Sequence, residues 1–520
     1  MKLIESIILF IPFLLAANPL YHNSGIELEA RRTTESIHID GILSEAIWDK
    51  PGTPVQLLQR EPHEGQPCTE QTEIFIAFND NSLYIAARLH DPAPDSIAAP
   101  VGRLDSDIST DLFGVFIDPY HDHRSGYYFG VNASGTRYDG TLQNDSWMDD
   151  SWDGIWEGKG RIDSTGWVAE LRIPFSQLRF QQSENNVWGI NFRRDILRKN
   201  EEAYLVYTPK NSSGFTSRFP HLYGIRDVSA SNQVQLTPYV RAKSLHGQIY
   251  NENPLMQQGI NSPSGGFDLQ YAPSSTLTLN MTVNPDFGQV EVDPAVVNLS
   301  DFETFFQEKR PFFVEGSSTF NFGYGGSSSH WGFNWGTPDF FYSRRIGKKP
   351  YGGLPDNDFE KTPDATTIYG AGKLTGKIGK DWNVGALYAM TARETGKYQI
   401  DDISFRQTVE PRTHFAVARA QNEIQNGKYG IGFISTATRR QFENSILGDD
   451  LNKGAYTFGI DGWGFLDGDD TWVISSWLGG SRVTGTRQRM LDLQTSSIHY
   501  FQRPGVRHLS IDSSATGING

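Results

Sequence analysis

After Asp227 the chain alternates apolar and polar residues through whole segments, yet no run of ~18 apolar residues follows residue 20. Any element that crosses a membrane must therefore be a strand. Leu277, Leu279, Met281 and Val283 interleave with Thr278, Asn280 and Thr282, and Tyr456, Phe458 and Ile460 with Thr457, Gly459 and Asp461. Trp382, Val384, Ala386, Tyr388 and Met390 oppose Asn383 and Gly385, and Phe267, Leu269 and Tyr271 oppose Asp268 and Gln270. A period of two places each set on its own face of a strand. Soluble sandwich strands alternate as well. Repetition with aromatic ends, polar opposite faces and short Gly/Asp/Asn turns (379–381, 426–428, 467–469) fits apolar-out, polar-in barrel strands. Leu277, Leu279, Met281 and Val283 are then expected to face lipid, and Thr278, Asn280 and Thr282 the lumen.

Composition narrows the classes. Gly supplies 52 of 520 residues, aromatics 12% and hydrophobic residues 38%, which is too apolar for a disordered chain; Gly also lacks the strict period of collagen. A formal charge of −15 repels phosphate, so nucleic acid is excluded as the expected partner. Cys68 is single, cannot form an internal disulfide and reads as an inert thiol. Lys2, the apolar stretch from Ile7 to Ala17 and the small pair Ala16-Ala17 read as a signal peptide over 1–17 and imply export.

Residues 36–227 read as a soluble antiparallel β-sandwich. Ile74, Ile76 and Phe78 alternate with Phe75 and Ala77, the turn residues 79–82 follow, and Leu83, Ile85, Ala87 and Leu89 alternate again: a hairpin. Further strands are expected at Leu112–Asp118, Tyr127–Asn132, Trp167–Ile173, Val187–Arg193 and Tyr204–Tyr207. The predicted architecture is all-β: this sandwich, then an antiparallel transmembrane β-barrel over 232–520.

Two acidic stretches carry the candidate chemistry. Asp139, Asp145, Asp149, Asp150 and Asp153 sit among Trp147, Trp152 and Trp156. Planar rings stack on apolar pyranose faces while carboxylates accept hydroxyl hydrogen bonds, so Trp147, Trp152, Trp156, Asp149 and Asp153, with Arg124, are the carbohydrate-binding candidates. The same oxygens could hold a structural calcium ion, although the spacing is not that of an EF-hand; no other cofactor is expected. A solvated loop whose tryptophans cap the core is the third reading. The other stretch, Arg103 to Arg124, includes Asp118, which ends a strand, and His121 and His123, for which no third zinc ligand is evident. Nucleophile-elbow, metalloprotease, phosphate-loop and dinucleotide motifs are all missing, so whether the chain is an enzyme is left open.

Ile39-Asp40-Gly41 with Glu45 and Trp48, Leu83-Tyr84 with Asp91, Asp118, Gly130-Val131-Asn132 with Gly135, and Gly166-Trp167 with Glu170 and Ile173-Pro174 resemble the family 9 carbohydrate-binding-like domain. That resemblance implies a sandwich that binds sugars, in some members with structural calcium, and Trp48 packed under a sheet. Asn284-Pro285-Asp286-Phe287-Gly288-Gln289-Val290-Glu291 and the run Glu308 to Gly316 resemble a bacterial outer-membrane barrel of unassigned function. Leu299, Phe302, Phe305 and Phe306 fit a short amphipathic helix capped by Ser300-Asp301. Glu308, Lys309, Arg310 and Glu315 are expected to pair inside a wet lumen, on a constriction or a plain hairpin. The end at Ile518-Asn519-Gly520, without a terminal aromatic strand, reads as a fragment of a longer barrel. The combined expectation is a protein of the bacterial outer membrane whose partners are an oligo- or polysaccharide and membrane lipid, tied to polysaccharide uptake or use. The alternatives are a component of glycan hydrolysis and a structural envelope protein.

Overall fold

The computed structural model describes residues 25–520 apart from 50–51, 144, 146, 151, 181–182, 213, 229–233, 244–252, 256–261, 275, 286–303, 307, 324–338, 380, 426, 443–445, 468–471 and 497–509. The expected signal peptide, and most of the Asn284–Glu291 motif, lie outside the described residues.

Two sheets face each other in the N-terminal part. The larger is nine-stranded and runs Glu27–Glu29, His221–Arg226, Asn185–Ile196, Leu112–Asp118, Gly126–Asn132, Arg137–Gln143 and Trp147–Asp149, with Glu201–Tyr204 and Leu58–Glu61 alongside. The smaller is six-stranded and centres on Gly166–Pro174, Ser82–His90 and Thr72–Phe78. Pairing is antiparallel except where Glu27–Glu29 joins His221–Tyr223 and Arg31–Arg32 joins Ala77–Phe78. Phe113, Phe129, Trp167, Leu171, Trp188 and Phe192 fill the space between the sheets and are sealed from water. The expected hairpin is present, with Phe78 opposite Leu83. Trp48 is buried against the edge of Phe75, outside this core.

Two expectations change. The sandwich begins at Glu27, ahead of residue 36, because this short strand completes an edge of the larger sheet. The strand expected at Tyr204–Tyr207 is Glu201–Tyr204 instead. Past Tyr204 one more backbone bond forms, Leu205 N–H to the Phe192 carbonyl at 3.0 Å, and the Asn191 side chain then replaces the ladder: its Oδ1 accepts from Val206 N–H at 3.0 Å and its Nδ2 donates to the Val206 carbonyl at 2.7 Å.

The C-terminal part is a ten-stranded antiparallel meander: Val234–Lys243, Ser262–Ser274, Leu277–Val283, Ile368–Ile378, Trp382–Thr391, Arg412–Ile424, Tyr429–Gln441, Gly454–Phe465, Val473–Thr484 and Gly517–Asn519. Its burial is inverted relative to a water-soluble sheet. Thr278, Asn280 and Thr282 are 5%, 8% and 1% exposed, whereas Met281 and Val283 are 39% and 37% exposed. Tyr456, Phe458 and Ile460 are exposed while Asp461 is buried, and Trp382 and Tyr388 are exposed while Leu387 and Ala389 are buried. No described helix is long and apolar enough to cross a membrane.

The polar face is covered by residues of the 305–346 stretch. Lys373 Nζ donates to the carbonyl of Phe312 at 2.6 Å and to that of Glu315. The Glu315 carboxylate accepts from Asn280 Nδ2 at 2.6 Å and Gln270 Nε2 at 3.1 Å. Glu308 pairs with Arg310 at 2.7 Å. Phe320, Phe313 and Phe322 pack with Ala371, Leu387 and Val417 in a separate apolar cluster. The amphipathic helix expected over 299–306 needs correction: 299–303 lie outside the described residues, Phe305 and Phe306 are not helical, and the helix is Pro311–Val314. Pro311 explains the shift, since its fixed φ and missing N–H suit a helix's first turn.

Candidate functional site

The outer face of the larger sheet carries a cleft of about 710 Å³. Its floor follows from the register. Arg193 lies opposite Gly114, Gly114 opposite Gly130, and Gly130 opposite Tyr138, so two glycines leave the middle of the row bare. The Tyr128 ring occupies that space and stacks on Phe116 at 4.8 Å. A Cβ at Gly114 would come within 2.9 Å of the Tyr128 ring, so the small residue is required there. Arg193 makes a two-pronged pair with Asp195, at 2.8 and 2.7 Å. The Tyr138 hydroxyl is buried in the wall and has no hydrogen-bond partner among the described residues. Burial, then Asp105 and Asp107, push its pKa up, so it keeps its proton and remains a donor. The rim is acidic: Glu61, Asp105, Asp107, Asp139, Asp150, Glu201 and Glu202 line it, and Arg193 is the one cationic side chain among the described lining residues.

At one end of the cleft Asp105, Asp139 and Asp153 converge, each with a carboxylate oxygen within 4.8 Å of the others. Asp139 is held from below: its Oδ1 accepts from Gly154 N–H at 3.2 Å and its Oδ2 from Trp156 Nε1 at 2.6 Å. Asp105 Oδ1 accepts from Asp139 N–H at 2.8 Å. Burial, followed by the facing carboxylates of Asp139, Asp153 and Asp150, pushes Asp105 up to about 7. Burial against the two donors raises Asp139 to about 6, and burial raises Asp153. An all-oxygen, triply acidic set suits a hard cation such as calcium.

The candidates chosen from the sequence separate. Trp152 and Trp156 do not form an exposed platform; both are buried in the sandwich core. Trp152 meets Tyr127 and Phe129 edge-on at 5.2 and 5.9 Å, and Trp156 meets Phe129 at 5.3 Å. The two indoles supply interior volume and, through Trp156, a donor to Asp139. Trp147 opens the strand Trp147–Asp149; its side chain lies outside the described residues. Asp149 accepts from Ser318 Oγ at 3.2 Å, across to the C-terminal part. Asp153 belongs to the acidic triad, and Asp145 pins a loop by accepting from the backbone of Phe215 and Ser217.

Arg124 is neither exposed nor in the cleft. It lies at the seam between the two parts, 3.2 Å from Glu423 Oε2 through its Nε and over the Trp463 ring at 5.4 Å. Asp122 pairs with Lys377 beside it. His121 and His123 meet a third imidazole from a distant strand: His121 Nε2 lies 2.9 Å from His221 Nδ1. Burial, then neighbouring imidazoles, lowers His121 to about 4, and burial lowers His123 to about 4, so both are neutral at pH 7. Arg193, Tyr128 and Tyr138 were missed. Their only signal is Gly114 and Gly130 in register, which requires knowing which strands pair.

A family model described as a domain of unknown function, DUF5916, matches residues 232–446. No protein of curated function matches the chain. Among solved structures, a family 9 carbohydrate-binding module from Caldicellulosiruptor kristjanssonii in complex with cellotriose aligns over 39% of this chain and 96% of its own, at 16% identity and a TM-score of 0.30. The same kind of module with glucose aligns over 39% and 98%, at 16% identity and a TM-score of 0.29. A structure from Bacteroides uniformis aligns over 38% and 99%, at 12% identity and a TM-score of 0.32. The sandwich is defined by its own strand pairing.

Proposed function

We propose that the chain is a two-part envelope protein that binds a neutral oligosaccharide in the outer cleft of its sandwich, at the bacterial outer membrane. The observation that carries the binding reading is the composition of that cleft. Tyr128 and Tyr138 supply planar apolar surface, the Tyr138 hydroxyl is a donor without a partner among the described residues, and the acidic rim offers many acceptors. Sugars present the complement of this set, a ring with an apolar face edged by hydroxyl donors. An acidic rim with Arg193 alone against it repels uronate- or sulfate-bearing chains and selects uncharged ones. The membrane reading is supported by the inverted burial of the ten-stranded sheet, since apolar residues on an outer face and charges on an inner one suit lipid outside and a polar interior.

The full chain in detergent micelles, screened against neutral and uronate-bearing oligosaccharides, tests the reading. Neutral glycans should bind, and Tyr138→Phe should weaken binding by about 0.5–1.5 kcal/mol, the worth of one ordinary hydrogen bond. Binding of acidic glycans alone, or none at all, would overturn it.

A further inference from the structure

A second cavity, of about 170 Å³, opens where the sandwich meets the ten-stranded sheet. It is smaller than the ~300–1,000 Å³ of pockets for drug-sized ligands, so it has room for one small ring. Trp152 forms an apolar part of its wall, and charged side chains form much of the rest. The acids in that wall are already engaged. Asp461 takes both prongs of Arg419, at 2.6 and 2.8 Å. Glu423 accepts from Asn383 and Gln421 and faces Arg124 Nε, while Glu315 accepts from Asn280 and Gln270. Lys377 is held by Asp122.

Two guanidinium groups keep unused donors. Arg124 is buried; its Nε faces Glu423 and its Nη1 reaches the Gly427 carbonyl at 3.4 Å, but its Nη2 has no hydrogen-bond partner among the described residues. Arg179 lines the same cavity, and its guanidinium has no ion pair or hydrogen bond among the described residues. A buried guanidinium donor without an acceptor is costly, and planar guanidinium forks match carboxylate and phosphate oxygens.

We propose that the seam cavity is a binding site for a monosaccharide-sized anion, its carboxylate or phosphate group held by Arg179 and Arg124 and its body against Trp152. The site is independent of the outer cleft and opposite to it in charge preference.

Calorimetric titration of the full chain in detergent micelles, with glucuronate, inorganic phosphate and glucose as separate probes, tests the assignment. At least one anion should bind; glucuronate alone identifies a sugar acid, and phosphate identifies a phosphate monoester. Arg179→Gln touches none of the seam ion pairs, so the melting temperature should hold while anion binding falls at least tenfold. Arg179→Lys, which keeps charge but loses the fork, should recover part of that loss. Tyr138→Phe in the outer cleft should leave anion binding unchanged. The proposal fails if neither anion binds, if Arg179→Gln binds as the parent does, if glucose binds as well as glucuronate, or if Tyr138→Phe abolishes anion binding.

Discussion

Arg419 and Asp461 form a two-pronged ion pair on the inner face of the ten-stranded sheet, with both side chains 2% exposed. The pair spans two neighbouring ladders. Gly432 lies opposite both Gln421 and Asp461, and a Cβ there would clash with the Asp461 carboxylate and the Arg419 guanidinium. Phe458 and Ile460, one residue out of phase with Asp461 or further along the same strand, are exposed. A single strand thus carries a fully buried charge and exposed aromatic and aliphatic side chains. The cost of burying that charge is offset by the partner and by Gly323 N–H, which donates to Asp461 Oδ2 at 2.9 Å.

Removing one partner should therefore be worse than removing both. Arg419→Met should destabilise the C-terminal part by ~3–5 kcal/mol, because Asp461 would remain buried and uncompensated. Arg419→Met with Asp461→Leu should cost clearly less. Denaturant unfolding of the full chain in micelles measures both, and equal losses would show that the two side chains are not coupled.

Trp156 is expected to act through folding. Its ring packs edge-on against Phe129, and its Nε1 donates to Asp139. Trp156→Ala should cost ~3–5 kcal/mol from the cavity alone, with the orphaned Asp139 oxygen adding to it. Trp156→Phe, which keeps much of the volume, should lose less. If Trp156→Ala unfolds at the parent's denaturant midpoint, the ring is not a core element.

The sandwich strands were legible because an apolar run bounded by Gly, Asp and Pro turns constrains a strand by itself: Leu112–Asp118 has the expected bounds. The face assignment over Leu277–Val283 was legible for the same reason, since a period of two needs no knowledge of partners. Sugar platform and core cap stay open for Trp152 and Trp156 in the sequence, because composition sees an indole beside a carboxylate but not which way a residue of the loop between Asp149 and Glu157 turns; both rings turn into the core. Asp105 joins Asp139 and Asp153 across a long sequence separation, and His221 joins His121 in the same way. Such sites exist only once the register is known. Arg124 was recognisable as a charge worth noting, but its partner Glu423 lies in the other part of the molecule.

The acidic triad gives a pH dependence with a definite sign. Asp105 and Asp139 titrate near 7 and 6 in the folded chain, above the ordinary carboxylate value of 3.8. Between about pH 4 and 7 the folded state therefore holds protons that the unfolded chain has released, and stability falls as pH rises through that window and levels off above it. Calcium should counter the loss at pH 8 by replacing protons as the neutralising charge, and a chelator should restore it. Asp153→Asn should flatten the slope. Thermal unfolding of the full chain from pH 4 to 8, with and without calcium, reads all three, and a stability that rises across this window would contradict the raised values.

The last expectation concerns the outer face of the ten-stranded sheet. Phe458 is 45% exposed and Thr457, its neighbour in sequence, points to the opposite face, where its hydroxyl lies 2.6 Å from that of Thr436. If the outer face meets lipid, a cation at Phe458 must be drawn out of water, and Phe458→Lys should destabilise the protein by ~2–4 kcal/mol if the site lies near the bilayer midplane. In water the same change at a half-exposed position should fall within about ±0.5 kcal/mol. Met281→Lys, on another strand of the same face, should behave alike, whereas a surface change in the sandwich such as Glu157→Lys should be insensitive to lipid. Urea unfolding of the full chain in phospholipid vesicles compares the three. A Lys at Phe458 and at Met281 that costs no more than the sandwich control would mean that the apolar face is not a lipid face, and with it the membrane reading would fall.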